Sequence, residues 1–291
     1  MRRLYFIIIL IVAATICGCN KSEVEVGKSN EMTFSAVYPG SSKATDAGFE
    51  SGDKIGLYVT HYETTVAPVL EIAGAYASNI GSTFDGTSWT CDPKLYWADG
   101  KFDFYGYYPY MNVSSIDSQP FSVALDQNAA ETASALSGYE ASDFLWSKIE
   151  GTERVDKVNM VFSHKMSKLV VKLVKSVDYE GELPSDAEVR ILNVVTDALV
   201  DLGTGSVVKD PHASAKTITA KKISNDTYDA IIVPQRLENR VPLVEILANG
   251  VSYIVDSRFA FKSGVQHTIS ITISDNPDKI KIDIGGEIQG W

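Results

Sequence analysis

At 291 residues, with 45% hydrophobic and 10% aromatic content, the chain suits about two folded domains and is too apolar for a disordered one. Its 37 acidic side chains outnumber 26 basic ones, a formal net charge of −11, which argues against nucleic-acid binding and against an electrostatic grip on anionic membrane.

The chain opens with Arg2 and Arg3, then an apolar run from Leu4 to Ala14 that is short for a membrane span. Ile16-Cys17-Gly18-Cys19 follows, two of the three cysteines one residue apart. A metal site there lacks ligands, since the nearest histidine is His61 and the remaining cysteine is Cys91. A Cys17–Cys19 disulfide would close a very small, strained ring. The flanks instead resemble the lipobox of bacterial lipoproteins. That pattern makes Gly18 the last residue of a signal peptide spanning 1–18, and Cys19 the lipidated first residue of the mature chain. Two or more acyl chains give a firm anchor, at about 0.8 kcal/mol per buried methylene. Cleavage leaves 273 residues with 24 basic and 37 acidic side chains, net −13. Cys91 is then a lone internal thiol, which reads as a small buried hydrophobe, and no disulfide framework exists.

Residues 19–31, "CNKSEVEVGKSNE", are polar and read as a flexible tether. Strand signals dominate thereafter. "MTFSAVY" places Met32, Phe34, Ala36 and Tyr38 on one face, and "DKIGLYVT" alternates through Ile55, Leu57 and Val59. Asp85-Gly86 and Asp99-Gly100 mark turns, the second leading into an aromatic strand. The alanine-rich stretch "QNAAETASALSGYEASDFLW" is the best helix candidate. "KLVVKLVK" is apolar on both faces and predicts a central strand. Asn249-Gly250, between two alternating apolar runs, predicts a type I′ hairpin. Short strands punctuated by turns imply β-sandwiches rather than a parallel sheet with crossover helices. A boundary around "FSHKMSKL" divides the mature chain into residues 32–163 and 164–291.

No catalytic motif is present: no Gly-x-Ser-x-Gly elbow, no His-Glu-x-x-His helix, no P-loop and no Cys-x-x-Cys pair. "GTGS" at Gly203 reads as a hairpin turn. His61, His164, His212 and His267 lie far apart and read as packing or surface residues. No metal, cofactor or enzyme activity is implied. "YGYYPY" carries two readings. Tyr105, Tyr107, Tyr108 and Tyr110, with Trp89 and Trp97, are a candidate platform for stacking on sugar rings; the plainer reading is a strand packed on both faces, with Phe102, Phe104 and Gly106 opposite Tyr105 and Tyr107. At the carboxyl end Ile280, Ile282, Ile284, Gly286 and Ile288 occupy every second position. Extended, this is a row of apolar pegs about 6.5–7 Å apart. Asn276-Pro277 before it breaks any continuous strand.

Taken together, "SSKATDAGFESGDKIGLYVT", "KLYWADGKFDFYGYYPY", "SDFLWSK", "VFSHKMSKLVVKLV", "YDAIIVPQ" and "KIDIGGEIQGW" resemble the fimbrillin-like lipoproteins of Gram-negative anaerobic bacteria, relatives of type V pilus subunits. The resemblance implies an all-β chain of two tandem transthyretin-like Greek-key sandwiches, exported as an outer-membrane lipoprotein. It implies proteolytic removal of the first strand and assembly with other fimbrial subunits by strand donation; the alternating segment 279–291 suits either a donor strand or a plain final strand of the second sandwich. Lys43 stands at the position matching the maturation cut. The mature chain has no arginine before Arg154, so an arginine-specific protease would not cut there. A fimbrial subunit or fimbrium-associated adhesin is the reading these features favour. The alternative is a monomeric surface lipoprotein that binds a host glycan or protein through the aromatic cluster. Neither reading involves nucleic acid.

Overall fold

Alternation and turn chemistry become strands almost throughout. The structure, a computed structural model, describes residues 30–38, 48–274 and 280–291, and its described residues hold twenty strands and no α-helix. Gly18, Cys19, Lys43 and Asn276-Pro277 lie outside the described residues. Strand β1 (Phe34–Val37) runs parallel to β8 (Val158–Val161). A six-stranded sheet takes the order β4 (Trp89–Asp92), β3 (Ala77–Phe84), β2 (Lys54–His61), β5 (Phe102–Tyr108), β7 (Leu145–Thr152) and β9 (Ser163–His164). Strand β6 (Gln119–Ser122) pairs with β12 (Asp197–Val200), whose other neighbour is β13 (Val207–Lys209). A five-stranded sheet runs β15 (Lys221–Lys222), β16 (Thr227–Ile232), β10 (Ser167–Lys175), β19 (Val265–Ile273) and β20 (Lys281–Gln289). A four-stranded sheet runs β14 (Ala215–Thr219), β11 (Glu188–Val195), β17 (Gln235–Ala248) and β18 (Val251–Phe261).

The local rules account for the clearest elements. Asn249 and Gly250 take φ of 51° and 74°, the two left-handed positions of a type I′ turn, and set Ala248 opposite Val251. The Asp85 carboxylate accepts the Thr87 and Ser88 amides at 2.8 and 2.7 Å, closing the turn between β3 and β4. Strand β10 lies between antiparallel β16 and parallel β19 with Ser167–Val171 buried, as a run apolar on both faces requires.

Residues Glu31–Trp291 form one compact unit with two apolar cores. One is built from Met32 to Phe162, with β1 and β8 laid against Ile55, Leu57, Phe102 and Phe104 of the six-stranded sheet. The other gathers the strands after Met166 and also takes Tyr58, Tyr105 and Tyr107 from the opposite face of that sheet. Burial on both faces follows from the two-residue side-chain period.

The helix expected in the alanine-rich stretch, ending near Gly138, does not form; residues 127–146 hold a single 3-10 turn, Glu140–Ser142, before β7. Tertiary bonds override its alanine propensity. The buried Gln127 amide donates to the Ile231 carbonyl and accepts the Ile231 N–H, both at 2.7 Å. Gly138 lies so close to Asp126 that a Cβ would fall 2.0 Å from its carbonyl oxygen.

Candidate assembly strands

The first and last strands of the unit differ in how they are held. In β1 and its flanks, Met32 and Phe34 are each 3% exposed, and Ala36 and Tyr38 are half-buried on the same face. Phe34 meets Phe104 edge-on at 5.9 Å, and Tyr38 meets Phe49 and His164 at 5.2 and 5.3 Å. The alternation read from "MTFSAVY" therefore faces the core as predicted. Backbone N–H groups of Val158 and Phe162 donate to the Thr33 and Val37 carbonyls at 2.8 and 2.7 Å. Outward, the Ser35 hydroxyl donates to the Asn159 side chain at 2.6 Å, and Val37 lies opposite Val161 with both exposed. Near the end of β1 a cleft of about 600 Å³ is lined by Tyr38, Phe49, Asp53, Tyr108 and His164 among others. Burial holds the Asp53 carboxyl above its ordinary range, against the lowering bonds from the Glu50 amide and the Tyr108 hydroxyl.

Strand β20 is an edge strand, antiparallel to β19. Ile280 and Ile282 pack partly against the second core, while Ile284 is 61% and Ile288 55% exposed. The pairing slips between His267 and Ile269: Glu287 opposes His267 and Ile284 opposes Ile269, so Gly285-Gly286 forms a bulge across Thr268. Ile282 and Ile284 thus oppose buried Ile271 and Ile269, but Ile288 opposes Gln266 on the outer face. The single row of pegs expected from the sequence is split between two faces. A Cβ on Gly285 would lie 2.9 Å from the Thr268 carbonyl oxygen, whereas one on Gly286 would meet nothing within 4 Å.

Beyond the ladder to β19 and the Lys262–Glu287 ion pair at 2.6 Å, this edge ends in Trp291, which carried no sequence signal beyond being aromatic. It is 6% exposed although β20 before it is nearly all exposed. Its ring stacks on His164 at 3.8 Å and 18°, with the Lys168 ammonium 4.9 Å from its centroid. His164 itself is buried and faces both Asp143 carboxylate oxygens at 2.8 and 3.0 Å. One imidazole therefore touches Tyr38, just after the first strand, and Trp291, just after the last.

The candidate tyrosines are dispersed. Tyr105 and Tyr107 belong to the second core and Tyr108 to the first, all buried, with Tyr110 half-buried beneath the Lys54 ammonium. The Tyr108 hydroxyl donates to Asp53 at 2.9 Å, and burial pushes the Tyr107 and Tyr108 hydroxyls well above their ordinary range. Gly56 leaves room for Tyr107, since a Cβ there would lie 2.2 Å from its ring. The open row of rings that sugar stacking needs is not formed by β5; its tyrosines are packing. Cys91 is a buried thiol whose pKa is raised by that burial.

Comparison with known proteins decides the family. The fimbrillin-like family model matches residues 42–291. The chain belongs to the fimbrillin-like family. Among fimbrillin-like relatives, a Bacteroides uniformis protein named "Putative fimbrium subunit Fim1C" is 26% identical over 267 residues, covering 86% of this chain and 81% of its own length. A crystal structure of a "putative cell adhesion protein" from Bacteroides uniformis matches with a TM-score of 0.67 at 19% identity, covering 90% of this chain and 98% of that one. A protein of the same description from Bacteroides ovatus gives 0.67 at 20% identity, covering 90% and 96%. The likeness to these two structures is one of fold.

Proposed function

We propose that the protein is a fimbrial subunit or fimbrium-associated surface adhesin that assembles with other subunits by strand donation. The observation that carries this reading is the contrast between the two end strands. β1 fills an apolar groove with Met32 and Phe34, whereas β20 sits at an edge with Ile284 and Ile288 largely in solvent. A groove emptied of β1 offers backbone N–H groups and apolar seats to an incoming strand. The reading includes two tandem transthyretin-like sandwiches divided at 163/164, a lipid anchor on Cys19 in the outer membrane, and a maturation cut after Lys43. Mass spectrometry of intact chains from surface filaments and from cell membranes tests it. Membrane precursor should carry acyl groups on Cys19, and filament chains should begin at Ala44. Filament chains that all begin at Cys19 would contradict donation.

A further inference from the structure

The connection from β2 to β3, residues 62–76, has no strand or helix of its own and is long for a compact domain. Within 66–76 the one charged residue is Glu71. Leu70 turns inward onto the second core, while Val66 is 73% and Val69 81% exposed, with Ile72 and Tyr76 also exposed. The loop is fixed at its base: the Tyr76 ring meets Phe102 edge-on at 5.1 Å, and its hydroxyl donates to the Tyr96 carbonyl at 2.7 Å. Tyr96, itself exposed, is bridged to Glu31, and the Met32 N–H donates to the Leu95 carbonyl at 2.8 Å. His61, the last residue of β2, pairs with Phe102, the first of β5. The apolar loop and the point where the amino-terminal tether joins the fold therefore share one end of the six-stranded sheet. We propose that Val66, Val69, Ile72, Tyr76 and Tyr96 form a membrane-contact patch that seats the uncut subunit on the lipid bilayer holding its amino terminus. This rests on the reading of Cys19 as the lipid anchor.

Chain length and chemistry select the bilayer as the occupant. Glu31 follows Cys19 by few enough residues that the tether reaches at most about 40 Å. An anchor attached here draws this end of the sheet toward the lipid before any other. A cluster of exposed apolar side chains on one loop marks a contact surface. Its aliphatic side chains suit the hydrocarbon boundary, and its two tyrosines suit the headgroup level, where an amphipathic ring meets both phases. Charge offers no alternative grip: the mature chain is strongly acidic, and the charged residues of the loop are Glu63 and Glu71. The contact is therefore apolar, indifferent to anionic lipid and unscreened by salt. It sets posture rather than retention. The acyl chains hold the protein, and the loop fixes which end meets the membrane.

The test uses the chain purified from membranes of its producing bacterium and reconstituted in phosphatidylcholine vesicles. Val69→Cys carries an environment-sensitive fluorophore, for which the buried Cys91 does not compete. Iodide quenching of that label should be on the order of fivefold weaker than for the same fluorophore at Val208→Cys, because inserted apolar groups sit about 5–10 Å below the headgroup boundary. Val208 is also exposed but lies on β13, in another sheet. Adding Val66→Asp and Ile72→Asp should restore quenching at position 69 without moving the melting temperature, since both side chains already face solvent. Equal quenching at 69 and 208, on a chain that mass spectrometry shows to be acylated, overturns the contact and leaves the anchor standing. Protection that high salt removes, or that appears on cells but not on pure lipid, overturns it in favour of an electrostatic or a protein contact. A Cys19 without acyl groups overturns the anchor and the contact with it.

Discussion

Trp291 shows how one side chain can govern a whole strand. Strand β20 buries little of its own, so its attachment leans on the terminal indole, which is enclosed between His164 and the Lys168 ammonium. Burying an aromatic ring of this size is worth on the order of 2 kcal/mol. Trp291→Ala should therefore leave the global melting transition nearly in place while β20 amides exchange with deuterium on the order of tenfold faster. Unchanged exchange across 281–289 would show that the ladder to β19 alone holds the strand. His164 reads in the sequence as one histidine among four. Its meeting with Trp291 arises from contacts across more than a hundred residues, which no local pattern carries. The tyrosines of β5 are the opposite case: strict alternation shows that they face two sides, and the structure adds a core behind each.

At the scale of elements, the β19–β20 pair has a built-in pH dependence. His267 is buried beside Phe259 and Phe261 and accepts the Lys262 N–H on Nε2 at 3.2 Å, so it is held neutral. Burial lowers its pKa below 6.5; the Glu287 carboxylate opposes this and the Lys262 ammonium adds to it. The unfolded chain therefore takes up a proton before the folded one does. Stability is fully present above about pH 6.5 and is lost as pH falls, by at most about 1.4 kcal/mol per pH unit. Glu287, held below its ordinary range mainly by the Lys262 ammonium, adds loss in the same direction at more acid pH. Denaturant midpoints at pH 7.5 and 5.5 should fall for the parent, with His267→Asn removing most of the difference between them. The same difference in both proteins would assign the acid sensitivity elsewhere. Hairpins were the most legible elements, because Asn249-Gly250 and Asp85-Gly86 encode their turns within two residues. The parallel β1–β8 pair was not legible, since its partners lie 124 residues apart. The Gly285-Gly286 bulge was hidden by an alternation that runs straight through it, and the alanine-rich stretch misled because Gln127 is bound to Ile231.

For the whole molecule, the consequence of the two-ended design is that stability and assembly should trade against each other. With β1 in place, Met32 and Phe34 seal the first core, each side chain contributing about 1.5–3 kcal/mol by burial. A cut after Lys43 leaves them tied to the groove by noncovalent contacts alone, and their departure uncovers Phe104 and exposes the backbone of β8 as a new sheet edge. On the donation reading, such a subunit should be metastable until another strand fills the groove. Lys43→Gln should block the cut, keep β1 seated and give a monomer that melts with the uncut parent but enters no filament. The parent cut at Lys43 and stripped of β1 should melt several degrees lower or aggregate, and should regain cooperative melting once assembled. Calorimetry of the uncut, cut and filamentous forms measures all three. Equal melting of the cut and uncut monomers would mean that β1 contributes nothing to the core, and the groove would then have no driving force to capture a second copy.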